Sequence, residues 1–483
     1  MSFVEQPAAI LARLGDLRAA DAPTHGGRVL SYVYDSGLAE LDELAAAAIR
    51  MVPPVNGLDP TTFTSVAVME REVVAFARDL LNGDDDVVGS VTTGGTESCL
   101  LAVKTARDAW AAAGGTGTPR LLAPVTVHAA FRKAAHYFRL ELDLVPVLPD
   151  GRVAADSMVE RMAPEVALVV VSAPSYPHAA LDPIREVAAA TQERGIACHV
   201  DACIGGLVLP FWPGLEPWDF RVPGVTSVSA DFHKFGYAPK GVSVLLQRGR
   251  DRQRAQYFAT TGWPGYPVVN STILGSKSAG ALAAAWAITR ALGRDGFGEL
   301  AASCLVSTEA LVSLIDGIVG LRVVGTPVGP LLAVATDDTA DVALRVDPHH
   351  WADQAKALGW HLQLQPGLAQ SDGSVLPRTT HLTITPVTAA VLPELSAALV
   401  AAAGGVRGVP PITSEQVLAG LPDGLDGGVL DSDTALGILR AIGLVSDGAG
   451  LPDRLAPFLA LVEALPAPLT ERLLTELVAR TFE

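Results

Sequence analysis

The chain has 483 residues, of which 49% are hydrophobic and 18% charged. That length supports several domains and a large buried core without disulfide or metal staples. A net charge of −17 argues against nucleic acid or an anionic membrane as partner, and an anionic substrate would need locally placed cations.

Mean hydropathy is +0.33, which calls for a membrane check. No run of about 18 apolar residues without a charge occurs, so no membrane-spanning helix or membrane anchor is expected. The richest stretches, 166–171 and 279–288, read as buried strand and buried helix. Near the start, Glu5, Arg13, Asp16 and Arg18 interrupt any secretory pattern. Cys99, Cys198, Cys203 and Cys304 contain no C-x-x-C pair, so neither a zinc cage nor a disulfide framework is expected. A cytoplasmic location fits that usage.

In chain order, residues 1–60 read as an N-terminal arm. Helical patches at 8–20 and 38–51 flank a polar turn at 24–27 and a β-like segment at 28–34. From 61 to 290, helical periodicity alternates with short apolar runs. Helices are predicted at 65–81, 96–113 and 184–194, and strands at 122–127, 167–171 and 197–200. That rhythm implies an α/β domain with a mostly parallel sheet. From 291 to 403 the pattern becomes a smaller α+β domain. Its strands are predicted at 321–324, 331–335, 361–364 and 380–385, and its helices at 342–358 and 389–403. A Gly/Pro-rich linker at 404–411 leads to a helical extension completing 404–483. The last helix places Leu469, Leu473, Leu474, Leu477 and Val478 on one face, which suits docking on its own domain or a dimer partner.

Four local features carry chemistry. Val88-Gly-Ser-Val-Thr-Thr-Gly-Gly-Thr-Glu-Ser98 runs into a helical pattern, and a Gly-Gly turn opening a helix offers free N–H groups to an anion. Taken alone, an ordinary helix start, with Thr96 as N-cap and Glu97 in the first turn, is the commoner origin of this pattern. His199-Val-Asp-Ala202 follows a strand, so Asp201 stands at a strand's carboxyl end, where α/β sheets face ligands; it could also be a cap or a salt-bridge acid. Ser229-Ala-Asp-Phe-His-Lys-Phe-Gly236 holds Lys234 among small and aromatic residues. A desolvated lysine becomes nucleophilic, although a solvated surface lysine is the common case. His128 follows an apolar run and reads as a ring-stacking or acid–base group, or as a buried core histidine. In combination they make the inventory that pyridoxal phosphate needs: a phosphate site, a face for the ring, a carboxylate for the pyridine nitrogen and an imine-forming lysine.

Across most of 24–290 the chain resembles the group II decarboxylase family of pyridoxal-phosphate enzymes, and within it the sphingosine-1-phosphate lyases. The resemblance rests on Thr92-Thr-Gly-Gly-Thr-Glu-Ser98, His128-Ala-Ala-Phe-Arg-Lys-Ala-Ala135, His199-Val-Asp-Ala-Cys-Ile-Gly-Gly206 and Val225-Thr-Ser-Val-Ser-Ala-Asp-Phe-His-Lys-Phe-Gly-Tyr-Ala-Pro-Lys-Gly241. Gly262-Trp-Pro-Gly265 and Gly275-Ser-Lys-Ser-Ala-Gly280 add to it. It implies a fold-type I architecture and a homodimer with the site at the subunit interface. It also implies Lys234 as Schiff-base lysine, Asp201 at the pyridine nitrogen, His128 stacked on the ring, and Gly95, Thr96 and His233 on the cofactor phosphate. Around the substrate it implies Tyr34, Asn56 and Lys240. Asp59 stands where the lyases carry His, and a carboxylate repels a substrate phosphate. Phe232 replaces their usual Thr, and Lys277 stands where many relatives have Arg.

The resulting expectation is a carbon–carbon lyase cleaving a β-hydroxy amine, with or without a phosphate. The alternative is an amino-acid decarboxylase, which Arg378 would favour by binding an α-carboxylate. A third class is a catalytically silent binding protein on the same fold.

Overall fold

The computed structural model describes residues 3–413, 416, 431–441 and 454–482. Seven strands form the larger sheet: β1 (Val87–Thr92), β2 (Arg120–Pro124), β3 (Glu141–Val145), β4 (Val166–Ser172), β5 (Ala197–Asp201), β6 (Ser227–Ala230) and β7 (Ser243–Arg248). Their order is β1-β7-β6-β5-β4-β2-β3. β7 is antiparallel to both neighbours, and all other pairs are parallel. β1 therefore points the same way as β2 to β6. All seven residues of β4 are buried, as expected of a strand covered on both faces.

The arm contributes α1 (Pro7–Arg18) and α2 (Ala39–Met51). The large domain adds α3 (Thr64–Leu80), α4 (Gly95–Ala112), α5 (Ala129–Phe138), α6 (Ala155–Val159), α7 (Ile184–Glu193) and α8 (Arg250–Gln256). Helical spacing explains α3: Val66, Met69, Val73, Ala77 and Leu80 form its buried stripe. A short hairpin, β8 (Phe258–Thr260) and β9 (Val268–Asn270), precedes the long α9 (Gly280–Asp316), which breaks at Gly293.

The smaller domain holds β10 (Leu321–Val323), β11 (Leu331–Thr336), β12 (Gln363–Gln365), β13 (Leu368–Ala369), β14 (Val375–Leu376) and β15 (Thr379–Thr383). Its main sheet is antiparallel, in the order β10-β11-β15-β12. α10 (Pro348–Ala357) and α11 (Thr388–Val406) pack with it around Trp351, Trp360, Leu395 and Leu399. α9 and α11 are long and apolar enough to cross a membrane by length and composition; here both contribute residues to domain cores.

Three expectations change. The helix expected over 342–358 is divided, because Pro348 opens α10 and Asp347 caps it through the His349 and His350 N–H groups; 342–344 is a separate 3-10 turn. The segment at 28–34 is no strand: Val29 makes one bridge to His361, and Leu30 joins the second core. The linker starts later than expected, since 404–406 still belong to α11. In the C-terminal extension, α12 (Ser432–Ala441), α13 (Ala456–Ala464) and α14 (Ala467–Thr481) pack around Ile438, Leu439, Leu461 and Leu473. The helical expectation for 414–415, 417–430 and 442–453 lies outside the described residues.

Candidate active site

Parallel alignment of β1, β2, β5 and β6 delivers their carboxyl ends to one edge of the sheet, where α/β proteins place their ligands. Past these ends lies a cavity of about 530 Å³, lined by Gly94, Gly95, Thr96, His128, Cys203, Asp231, His233, Lys234 and Lys240 among others.

After β1 the chain turns through Gly94, at φ 143°, a backbone region that favours glycine. α4 then begins at Gly95, so Thr96 is not the N-cap. Glu97 takes over that work from inside the first turn. Its Oε2 accepts from Thr93 N and Oγ1 at 2.7 and 2.9 Å. Its Oε1 accepts from Ile273 N at 2.7 Å and so fastens the 271–274 segment over the cavity. Gly95 and Thr96, in the first turn of α4, line the cavity, so the positive end of the helix dipole could bind an anion there.

His128, just past β2, caps α5 by accepting Ala130 N–H on Nδ1 at 3.2 Å. That contact leaves the ring proton on Nε2 in the neutral form. Burial lowers the His128 pKa, with Asp201 opposing, so the ring tends to stay uncharged. Asp201 closes β5. Its Oδ1 accepts Cys203 N–H at 3.1 Å and Ser229 Oγ at 3.4 Å, and it acts electrostatically on both His128 and Lys234. His199 is a satisfied core histidine between Ser227 and Ser229, at 2.9 and 3.1 Å.

After β6, Lys234 Nζ lies 3.1 Å from Asp231 Oδ2, and His233 Nε2 lies 3.4 Å from the same oxygen. Asp231 had no part in the sequence argument, although it stands three residues before the lysine. Lys240 Nζ sits 4.6 Å above the Tyr34 ring and 3.1 Å from the His233 carbonyl oxygen. Tyr34 meets Phe235 edge-on at 5.2 Å, and burial raises its hydroxyl to about 12. Beside them, a chain missed by the sequence runs from Tyr176 Oη to Gln363 at 2.6 Å and from Gln363 to Tyr32 Oη at 2.5 Å.

Asn56 and Asp59 lie elsewhere within this chain. Asn56 Oδ1 accepts from Leu58 N and Lys277 N, and its Nδ2 donates to Ser276. Asp59 accepts from the amides and hydroxyls of Thr61 and Thr62, bonds that lower its carboxyl to about 2. With Lys277 it lines a separate cavity of about 770 Å³. Arg378, expected to favour an α-carboxylate, is engaged within the chain. It pairs with Asp347 at 3.3 Å and with Glu463.

A family profile described as "Pyridoxal-dependent decarboxylase conserved domain" matches residues 52–319, more than half of the chain. The chain belongs to the pyridoxal-dependent decarboxylase family. A second family profile, "Pyridoxal-dependent enzyme, C-terminal putative HTH domain", matches 415–480. Sphingosine-1-phosphate lyase of Dictyostelium discoideum is 38% identical over 331 residues, 68% of this chain and 61% of that protein. Sphingosine-1-phosphate lyase 1 of Rattus norvegicus is 35% identical over 383 residues, 78% of this chain and 64% of that one. The chain thus spans about three-fifths of the length of these relatives. A Burkholderia pseudomallei sphingosine-1-phosphate lyase structure superposes with TM-score 0.76 at 32% identity, covering 84% of this chain and 92% of that one. Lactobacillus brevis glutamate decarboxylase, at 19% identity and TM-score 0.74, shares the fold.

The cavity suits the family's cofactor, pyridoxal phosphate. Any Cβ at position 94 would stand 3.2 Å from the His233 ring, so the turn keeps open the cradle that His233 and the α4 amides share. Lys234 would carry the cofactor, Gly95, Thr96 and His233 would hold its phosphate, and His128 and Asp201 would flank its ring.

Proposed function

We propose that this chain is a pyridoxal-phosphate-dependent carbon–carbon lyase that cleaves a phosphorylated long-chain β-hydroxy amine of the sphingosine-1-phosphate kind. Once bound, the cofactor supplies an electron sink for the bond broken at Cα. The chain's residues decide which bond that is. Cα–Cβ cleavage needs the β-hydroxyl proton removed and an aldehyde released, and Cα must then regain a proton. Tyr34 and the Tyr32–Gln363–Tyr176 chain supply neutral hydroxyl and amide groups beside Lys234. Lys240 at the cavity wall supplies a cation for the substrate phosphate.

The observation that carries this reading over decarboxylation is the fate of Arg378. Its guanidinium is engaged by Asp347 and Glu463 and does not line the Lys234 cavity, so it offers an α-carboxylate nothing. That Gly95, Thr96, His128, His233 and Lys234 share one cavity supports an enzyme over a silent binding protein.

A homodimer fits the surface. α1 leaves Ile10, Leu11, Leu14 and Leu17 exposed, and the β8–β9 hairpin leaves Phe258, Tyr266 and Val269 exposed. Apolar patches of this kind mark interaction surfaces. A partner chain would then bring Asn56 to the site, with the Asp59 carboxylate engaged by the Thr61 and Thr62 hydroxyls rather than by a substrate phosphate. Nucleic acid gains no support from 415–480, where ten acids face four arginines.

The decisive assay incubates the cofactor-loaded protein with the phosphorylated amino diol, its unphosphorylated form and a panel of L-amino acids. Mass spectrometry should find a long-chain aldehyde and a phosphorylated two-carbon amine from the first. Carbon dioxide from an amino acid with no aldehyde from either diol would sink the reading.

A further inference from the structure

Asp231, 2% exposed, takes no part in the proposed cleavage. Yet its carboxylate is the contact shared by three parts of the cofactor site. Oδ2 reaches Lys234 at 3.1 Å and His233 at 3.4 Å. Oδ1 is buried without a close hydrogen-bond partner among the described residues, and the Ser243 hydroxyl is a lesser influence that helps hold the carboxyl low. A Cβ at position 95 would stand 2.6 Å from Oδ2 and 2.7 Å from Oδ1, so glycine there is what lets the carboxylate lie against the start of α4. Leaving a buried acceptor unsatisfied is costly. Such a group persists where neighbouring cations offset the cost.

We propose that Asp231 is a positioning residue that holds the Lys234 amine in an ion pair until the cofactor arrives, and so sets the pH range over which cofactor is captured. To attack the cofactor aldehyde, Nζ must first release a proton and expose its lone pair. The new C–N bond then forms as the carbonyl oxygen leaves as water. While the amine stays charged, neither event proceeds. The groups facing Lys234 are Asp231, Tyr34, Cys203 and Asp201, with Lys240, His128, Tyr176 and Cys99 also within electrostatic reach and His233 sharing Asp231 Oδ2. Burial alone would lower the amine's pKa; Asp231 leads the groups that carry it well above the ordinary lysine range. Asp231 is a poor proton acceptor. Burial works to raise its pKa, but Lys234 and His233 hold it well below the carboxylate range. The proton therefore leaves to water in the cavity. This inference needs the cofactor class and is independent of the substrate.

The test is competitive acetylation of cofactor-free protein with acetic anhydride across a pH series, read lysine by lysine through peptide mass spectrometry. In the wild type, Lys234 should react only above the pH at which Lys240 does. Asp231→Asn should move the Lys234 midpoint down by about one pH unit or more, roughly tenfold in reactivity at fixed pH. Asp231→Glu should retain the late midpoint. Added pyridoxal phosphate should then bind to Asp231→Asn at lower pH, seen as earlier growth of visible absorbance. Lys234 labelling at or below the pH of Lys240 in the wild type would overturn the proposal, and this needs no variant to fold. An unmoved midpoint in folded Asp231→Asn would overturn it as well.

Discussion

Lys240 is where the substrate reading is most exposed to test. Burial, with Lys234 adding, draws its amine down to about 8, so the charge is largely present at neutral pH and disappears above that value. Binding of a substrate phosphate should weaken as pH climbs through 8. A charge-assisted contact contributes about 1.5–3 kcal/mol, and 1.4 kcal/mol is about tenfold in affinity. Lys240→Met is therefore expected to raise KM for the phosphorylated amine about tenfold or more, with little change for the unphosphorylated one. Steady-state kinetics on both substrates at pH 7 measure the difference, and equal losses would remove Lys240 from the phosphate. At this scale the sequence reading reached Lys234, His233, His128, Gly95 and Thr96, because a turn, a strand end and a helix start bring them to one cavity. Asp231 escaped it. An acid three residues before a lysine is unremarkable until Gly95, from the start of α4, packs against it. Within this chain Asn56 is placed by Ser276, 220 residues away, a contact no local pattern announces, whereas Asp59 is tied locally to Thr61 and Thr62.

Elements were legible where a single periodicity ruled. The buried run of β4 and the stripe on α3 follow directly from side-chain spacing. The expected 342–358 helix failed at a local signal, since Pro at position 348 favours a helix start over a helix interior. What periodicity could not show is how the C-terminal helices attach. Glu463 of α13 receives the Arg378 guanidinium and also accepts Gly367 N–H at 2.8 Å. Asp353 of α10 accepts the Leu455 and Ala456 N–H groups at the start of α13. Arg378→Met would leave Asp347 and Glu463, 4% and 12% exposed in their side chains, without their cation. Stranding buried charges in this way should cost about 3 kcal/mol. The expected result is a lower denaturant midpoint with lyase turnover changed less than about twofold. A stable variant would show the pair to be dispensable. Selective loss of activity on an amino acid would return Arg378 to substrate binding and favour decarboxylation.

Across the whole molecule, the fold carries polar groups deep into its interior, and three histidines show the consequence. Burial lowers His178 and His199 to about 4 and His381 to about 3. Each is held by a different part of the fold: His199 in the parallel sheet, His381 in β15 stacked on Tyr176 at 4.2 Å, and His178 in the loop after β4. An unfolded chain takes up these protons near pH 6.5, whereas the folded protein resists them until much lower pH. Their contribution to stability is therefore complete above about pH 6.5 and is lost progressively as pH falls toward 4. The drop from 6.5 to about 4 is worth roughly 3 kcal/mol at most for each of His178 and His199, and the drop to about 3 roughly 5 kcal/mol at most for His381. Thermal unfolding should show the histidine loss as a falling melting temperature between pH 6.5 and 4.5, offset in part by Asp182, whose burial raises its carboxyl to about 7 and so favours the fold as pH falls. His199→Asn keeps an amide between Ser227 and Ser229 but cannot titrate, so its melting temperature should fall less steeply over the same interval. A midpoint that stays flat from pH 7 to 4.5 even in Asp182→Asn, where that offset is removed, would mean that these rings are already protonated in the fold, and the serine pair around His199 would then have to be accepting from an imidazolium.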